Sequence, residues 1–152
     1  MSSAPLVPSA ELLSRVDAVI IDLDGTMVDT MGDFSEALNR MLRELALPPI
    51  GMDSIQNMVG KGSEHLLRSV LNHVLALDGK ADAAIEIEAH YPAAWDSYQR
   101  HYLDINGQYA SVYAGVEDGL KRLRAQGLRL ACLTNKPTDF AVPLLTAKGL
   151  TG

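Results

Sequence analysis

Cysteine is nearly missing from this sequence: Cys132 is the single one in 152 residues. An internal disulfide framework is therefore excluded, and the usage fits a reducing compartment. Basic residues are also scarce, thirteen Lys and Arg against nineteen Asp and Glu, and they form no block. A net charge of -6 without a cationic cluster argues against a nucleic-acid partner. Long apolar runs are absent as well. The longest one near the N-terminus, Ala18–Ile21, is far too short to span a bilayer, so no membrane partner is expected. Residues 1–10 hold no basic residue and no apolar core of a signal peptide, which points to a cytoplasmic location. No internal repeat or low-complexity tract is visible. What remains is 47% apolar and 21% charged, the balance of a globular domain, or of one domain with a small insertion.

Residues 1–14, with Pro5 and Pro8, read as a flexible leader. Val16-Asp17-Ala18-Val19-Ile20-Ile21 is then a near-continuous β-branched run, the pattern of a strand buried on both faces. It stops at the polar turn Asp22-Leu23-Asp24-Gly25-Thr26. From residue 33 the period becomes helical: Phe34, Ala37, Leu38, Met41, Leu42 and Leu45 form one stripe, ended by Pro48-Pro49. A short helix is predicted over 53–59 with Asp53 as its N-cap, followed by a break at Gly60-Lys61-Gly62. Ser63 caps the next predicted helix, whose stripe is Leu66, Leu67, Val70, Leu71, Val74 and Leu75. Another is expected over 82–102, bent or interrupted at Pro92. Tyr113-Ala114-Gly115-Val116 reads as a loop, followed by a helix over 117–126 with Gly127 as its C-cap. A second buried strand is predicted over 128–133, ending at Thr134-Asn135-Lys136-Pro137. The last helix covers 138–148 and stops at Gly149.

Two strands, each followed by a polar turn and a helix, are the unit of an α/β fold with a parallel sheet. Their C-terminal ends then face one crevice, where such folds bind ligands. The helical stretch between them is far longer than a crossover needs, so it reads as an inserted all-helical cap. The expected division is residues 15–30 and 109–152 as a discontinuous core and 31–108 as the cap.

The sharpest chemical feature is Asp22-x-Asp24-Gly25-Thr26 directly after a buried strand. The bare pattern occurs by chance in roughly one or two chains per thousand of this length. Two carboxylates at a sheet rim make a hard oxygen site suited to Mg²⁺. They also supply a carboxylate nucleophile and an acid for a departing oxygen. Like charges so close repel each other and an anionic phosphate, so a cation is required. Gly25 lets the chain turn sharply and is expected to bring backbone N–H groups near the phosphate.

With these residues in view, the chain resembles the haloacid dehalogenase superfamily of aspartate-dependent phosphohydrolases. The resemblance rests on Ile20-Ile21-Asp22-Leu23-Asp24-Gly25-Thr26-Met27-Val28-Asp29-Thr30 and on Leu133-Thr134-Asn135-Lys136-Pro137. Within that superfamily it is most similar to bacterial phosphoglycolate phosphatases, through Asn39-Arg40-Met41-Leu42, Val59-Gly60-Lys61-Gly62 and the stretch from Gly115-Val116 to Pro137. It implies a Rossmannoid core with a helical cap, and a Mg²⁺ cofactor held by Asp22 and Asp24. Asp22 is then the nucleophile that becomes an aspartyl phosphate. Asp24 is the general acid and later base, its backbone carbonyl also binding the metal. Thr134 hydrogen-bonds a phosphoryl oxygen, with the Asn135 N–H beside it. Lys61 lies where the cap reaches over the active site and is a candidate for a substrate carboxylate. The aspartate at position 24 also argues against dehalogenation, since the dehalogenase branch lacks this second acid.

Family members carry a third-motif lysine and a fourth-motif acidic pair further along; Lys136 and Lys148 do not stand in the third-motif context. The chain is accordingly expected to be an N-terminal portion of a phosphatase, with an incomplete parallel sheet. Other polar residues carry bland expectations. Asp29 ties down the segment leaving the acidic loop, and His65, His73, His90 and His101 show no metal-ligand spacing. Trp95, Tyr98 and Tyr102 form a packing stripe, Cys132 is an inert core thiol, and Lys121, Arg122 and Arg124 lie on a solvated helix face.

Three functions follow. The first is Mg²⁺-dependent hydrolysis of a small phosphorylated acid, 2-phosphoglycolate above all, to glycolate and phosphate. The second is a sugar-phosphate mutase of the same superfamily, similar to β-phosphoglucomutase. The third is a non-catalytic fragment that binds a phosphorylated ligand or self-associates as a homo-oligomer.

Overall fold

The computed structural model describes residues 14–77 and 83–151. Most of the expected leader thus lies outside the described residues. Strand β1 (Ala18–Ile21) pairs in parallel with a later strand, β4 (Arg129–Cys132), with Ile21 opposite Cys132. The expected parallel unit is therefore present, and both strands run out at the same edge of the molecule.

Burial of β1 departs from expectation. Ile21 and Leu130 pack against a small cluster that includes Leu23, Val28, Leu120, Ala141 and Leu144, whereas Ile20 is 65% exposed. Side chains alternate across a strand, and among the described residues only one face of this two-stranded sheet is covered. Cys132 is exposed rather than a core thiol: it shares the face of Leu130 but lies at the very end of β4, which among the described residues pairs with β1 alone. Its thiol is still pushed up, first by desolvation and then by the negative charge of Asp22 and Asp24.

After the acidic loop, β2 (Val28–Asp29) pairs antiparallel with β3 (Ser111–Val112). These two-residue strands are too short to leave a sequence period. Helix α1 (Met31–Glu44) follows, with Phe34, Ala37, Leu38, Met41 and Leu42 of the predicted stripe buried and Leu45 just past its end and partly buried. It ends before Pro48-Pro49, because Ala46 takes a left-handed conformation (φ 55°) and the Leu47 N–H closes back on the Leu42 carbonyl at 2.8 Å. The short helix α2 (Met52–Gln56) starts after Gly51, so Asp53 lies in its first turn and is not its N-cap. Helix α3 (Ser63–Leu77) begins at Ser63 itself, and Leu66 N–H bonds the Gly62 carbonyl.

Of the two expectations for Pro92, a bend or an interruption, the interruption does not occur: helix α4 (Ala83–Ile105) continues through it. A proline removes one intrahelical donor, but Ala94, Tyr98, Tyr102 and Ile105 are buried in the main cluster with α1 and α3. That tertiary burial outweighs one lost bond. Helix α5 (Val116–Ala125) carries Lys121, Arg122 and Arg124 on its exposed face, and α6 (Thr138–Ala147) closes the described chain. Gly127 (φ 81°) and Gly149 (φ 67°) stop these two helices as predicted. The main cluster holds α1, α2, α3 and α4 together, and Phe140 of α6 joins it. Among the described residues there are thus two buried cores, one under the helices and one beside the sheet.

Candidate active site

The site sits where β1 and β4 end. Because Ile21 and Cys132 are in register, Asp22 and the 133–137 loop leave the sheet side by side, and Leu133 N–H bonds the Ile21 carbonyl at 3.0 Å. The acidic loop is a tight structure: Leu23 carbonyl accepts the N–H groups of Thr26, Met27 and Val28. Gly25 turns it at φ 76°, a region that L side chains rarely adopt. Its N–H donates to the Val28 carbonyl at 2.9 Å and so closes the loop on itself.

A pocket opens here, lined by Asp22, Asp24, Thr134, Asn135 and Lys136 from the sheet end, and by Phe34, Gly60, Gly62, Ser63 and Tyr98 from the helical side. Four of the predicted residues, Asp22, Asp24, Thr134 and Asn135, thus meet in one cavity. Lys61 is exposed, and it is the backbone on either side of it that contributes to the wall. Asp22 is exposed, with Oδ1 accepting the Leu23 N–H at 2.8 Å. Asp24 is half-buried; its Oδ1 accepts the Thr30 hydroxyl at 2.8 Å and the Lys136 ammonium at 3.1 Å. Thr134 Oγ1 accepts Lys136 N–H at 3.1 Å, and Asn135 Nδ2 donates to the Gly60 carbonyl at 3.0 Å. The Asn135 side chain therefore ties the sheet-end loop to the helical side.

The donor chemistry fits a hard divalent cation. Mg²⁺ is held by one or two carboxylates while keeping waters, and Asp22 presents such oxygens openly at the strand end. The Asp24 carboxylate is already met by an ammonium, which leaves its backbone carbonyl as the second candidate donor. Among the described residues no group of three or more His, Cys, Asp or Glu is placed to hold a metal. Two of the histidines are occupied elsewhere: His101 faces Glu44 at 2.8 Å, and His90 bonds the Glu86 carbonyl at 2.8 Å.

Sequence reasoning missed Lys136 and Tyr98 as pocket residues. Lys136 bonds the Tyr102 hydroxyl at 2.6 Å and Asp24 Oδ2 at 3.4 Å. Burial pushes its pKa below the ordinary lysine value, against the opposing pull of Asp24. Tyr98 and Tyr102 are both pushed up, chiefly by burial, so their hydroxyls stay protonated. Both rings are fully buried, as the expected packing stripe requires, and Tyr98 also lines the pocket. No local signal marks Lys136, because its partners lie 112 and 34 residues away. Asp29 does tie down the exit from the loop, accepting the Met31 N–H at 3.1 Å.

A family model described as a haloacid dehalogenase-like hydrolase matches residues 16–152. A phosphoglycolate phosphatase of Cupriavidus necator is 46% identical over 133 residues, covering 88% of this chain and 54% of that protein. One from Nitrosospira multiformis is 41% identical over 136 residues, covering 89% and 56%. Among solved structures, one described as a predicted phosphoglycolate phosphatase from Haemophilus somnus 129PT superposes with a TM-score of 0.80 at 27% identity, covering 89% of this chain and 58% of that one. The chain spans about half the length of the curated relatives it matches. No helix among the described residues is long and apolar enough to cross a membrane.

Proposed function

The chain belongs to the haloacid dehalogenase-like hydrolases, and on that premise we propose that it performs phosphomonoester hydrolysis at the Asp22–Asp24 pocket. The observation that carries the proposal is convergence: Asp22, Asp24, Thr134 and Asn135, from two separate strand ends, line one cavity. The relatives' names point to 2-phosphoglycolate as the substrate and to glycolate and phosphate as products. Residues 15–30 and 109–152 form the core in this reading and 31–108 the cap, a division that the two buried clusters support.

The chemistry follows from the residues. A carboxylate oxygen of Asp22 attacks phosphorus, and the phosphorus–ester oxygen bond breaks. The departing oxygen takes a proton from the Asp24 carboxyl, which releases an alcohol and leaves an aspartyl phosphate. Water then attacks that phosphorus and gives its proton to the Asp24 carboxylate, while the bond to Asp22 breaks and phosphate is freed. Thr134 Oγ1 and the Asn135 N–H hold phosphoryl oxygens. Lys61 is the candidate for the carboxylate at the far end of the substrate. Mg²⁺, held by Asp22 and the Asp24 carbonyl, supplies charge neutralisation between the carboxylates and the phosphate.

The test is phosphate release from 2-phosphoglycolate with and without Mg²⁺, beside Asp22→Asn. Metal-dependent release is expected, falling at least about 10³-fold in Asp22→Asn, since the amide is no nucleophile. Release that persists in Asp22→Asn, or none from folded wild-type chain, overturns the reading.

A further inference from the structure

The reaction above gives Lys136 no task, yet its placement is among the most specific in the molecule. Its side chain is 2% exposed. The ammonium lies over the faces of Phe34 and Tyr102, 4.7 and 4.6 Å from the ring centroids. Its donors are spent on Asp24 Oδ1 at 3.1 Å, on Asp24 Oδ2 at 3.4 Å and on the Tyr102 hydroxyl at 2.6 Å. A flexible cation is not buried in this way unless its partners hold it there. The contact also divides the two oxygens of Asp24. Oδ1 is anchored twice, by Thr30 and by Lys136, while Oδ2 has the looser Lys136 contact. Rotation of the carboxyl would break both anchors, so Oδ2 is the oxygen left to meet a ligand in the pocket.

We infer that Lys136 is a positioning residue, holding the Asp24 carboxyl in the orientation that delivers a proton to the departing ester oxygen, with Tyr102 of α4 fixing the ammonium. This rests on the reading of Asp24 as the acid. A lysine that merely ties α4 to the sheet end has the same contacts but a different kinetic signature. An alkyl ester oxygen needs a proton as its bond to phosphorus breaks, whereas p-nitrophenolate is a weak base and departs without one. A residue acting through Asp24 therefore matters for the first ester and little for the second.

The experiment measures kcat and KM on 2-phosphoglycolate and on p-nitrophenyl phosphate, with Mg²⁺, for wild type, Lys136→Met and Lys136→Arg. Lys136→Met is expected to lower kcat on 2-phosphoglycolate by on the order of 10²-fold, the lower end of what a positioned acid contributes. KM should change little, and the p-nitrophenyl ester should lose less than about one tenth of that factor. Lys136→Arg, which keeps the charge, should recover part of the loss. Equal losses on both esters overturn the inference and leave the phosphatase reading standing; no release from either ester by wild type overturns both. A measurement independent of turnover is reductive methylation with ¹³C-formaldehyde. Lys136 should stay unmodified while exposed Lys61 and Lys121 react, and should become reactive in Asp24→Asn. Modification of wild-type Lys136 at the rate of the exposed lysines refutes the inference whatever the kinetics.

Discussion

Replacing Asp33 tests how the chain segments on either side of the helical insertion are fastened together. Asp33 is fully buried in the first turn of α1. Its Oδ2 accepts the Gly107 N–H at 2.7 Å and its Oδ1 the Tyr109 N–H at 2.8 Å, so one carboxylate bonds two amides 74 and 76 residues away. A hydrogen bond to a charged group contributes about 1.5–3 kcal/mol, and a buried donor left without a partner costs about 1–3 kcal/mol. Asp33→Ala removes both bonds and strands both amides, so the expected loss is about 3–5 kcal/mol. For a chain of this size that corresponds to roughly 6–20 °C in Tm. Asp33→Asn keeps the shape and one acceptor but turns a donor towards the other amide, and about half the loss is expected. Urea unfolding followed by circular dichroism gives the midpoint and slope for each variant. If Asp33→Ala unfolds within about 1 kcal/mol of wild type, the two amides find other partners and the reasoning is wrong. Should Asp33→Ala fail to fold at all, the ordering of Asp33→Asn below wild type still decides the matter.

Two further perturbations follow from the same packing. Glycine to alanine inside a helix ordinarily stabilises by about 0.5–1 kcal/mol. Gly32→Ala should do the reverse, because its new Cβ would collide with the backbone carbonyl oxygen of Tyr109; a loss of at least about 1 kcal/mol in urea unfolding is expected, and a gain would refute the contact. Glu44 is held at about 2, below the usual carboxylate value of 4.5, first by the Arg100 guanidinium and then by Ser97 and His101. A depressed carboxylate contributes stability that is present above pH 4.5 and lost as pH falls towards 2. Tm should therefore decline over that window, and Glu44→Gln should flatten the decline; an unchanged pH profile in Glu44→Gln would sink the assignment.

Much of the architecture was legible in the sequence because it is locally encoded. The β-branched run into Asp22, the apolar stripe of α1, and the glycines at 127 and 149 each act within a turn or two of themselves. Relations across the chain were legible only where topology forces them. If two strands lie parallel in one sheet, their ends must share an edge, and that brought Asp22 and Thr134 together on paper as it does in the structure. Local preference failed where a distant contact outweighed it. Pro92 stays inside α4 because the helix buries Tyr98 and Tyr102, and Cys132 is exposed because it ends a strand that pairs on one side only among the described residues.

By itself, the sequence determined the order of elements, the acidic loop after a strand, and the pairing of that loop with a second strand end, since period and turn chemistry are properties of neighbours. Only the tertiary structure decided that the Gly25 amide closes its own loop, that Asn135 reaches the Gly60 carbonyl, and that Lys136 sits between Asp24 and Tyr102. These are contacts between groups far apart along the chain, and a side chain's partners are fixed by where the backbone carries it.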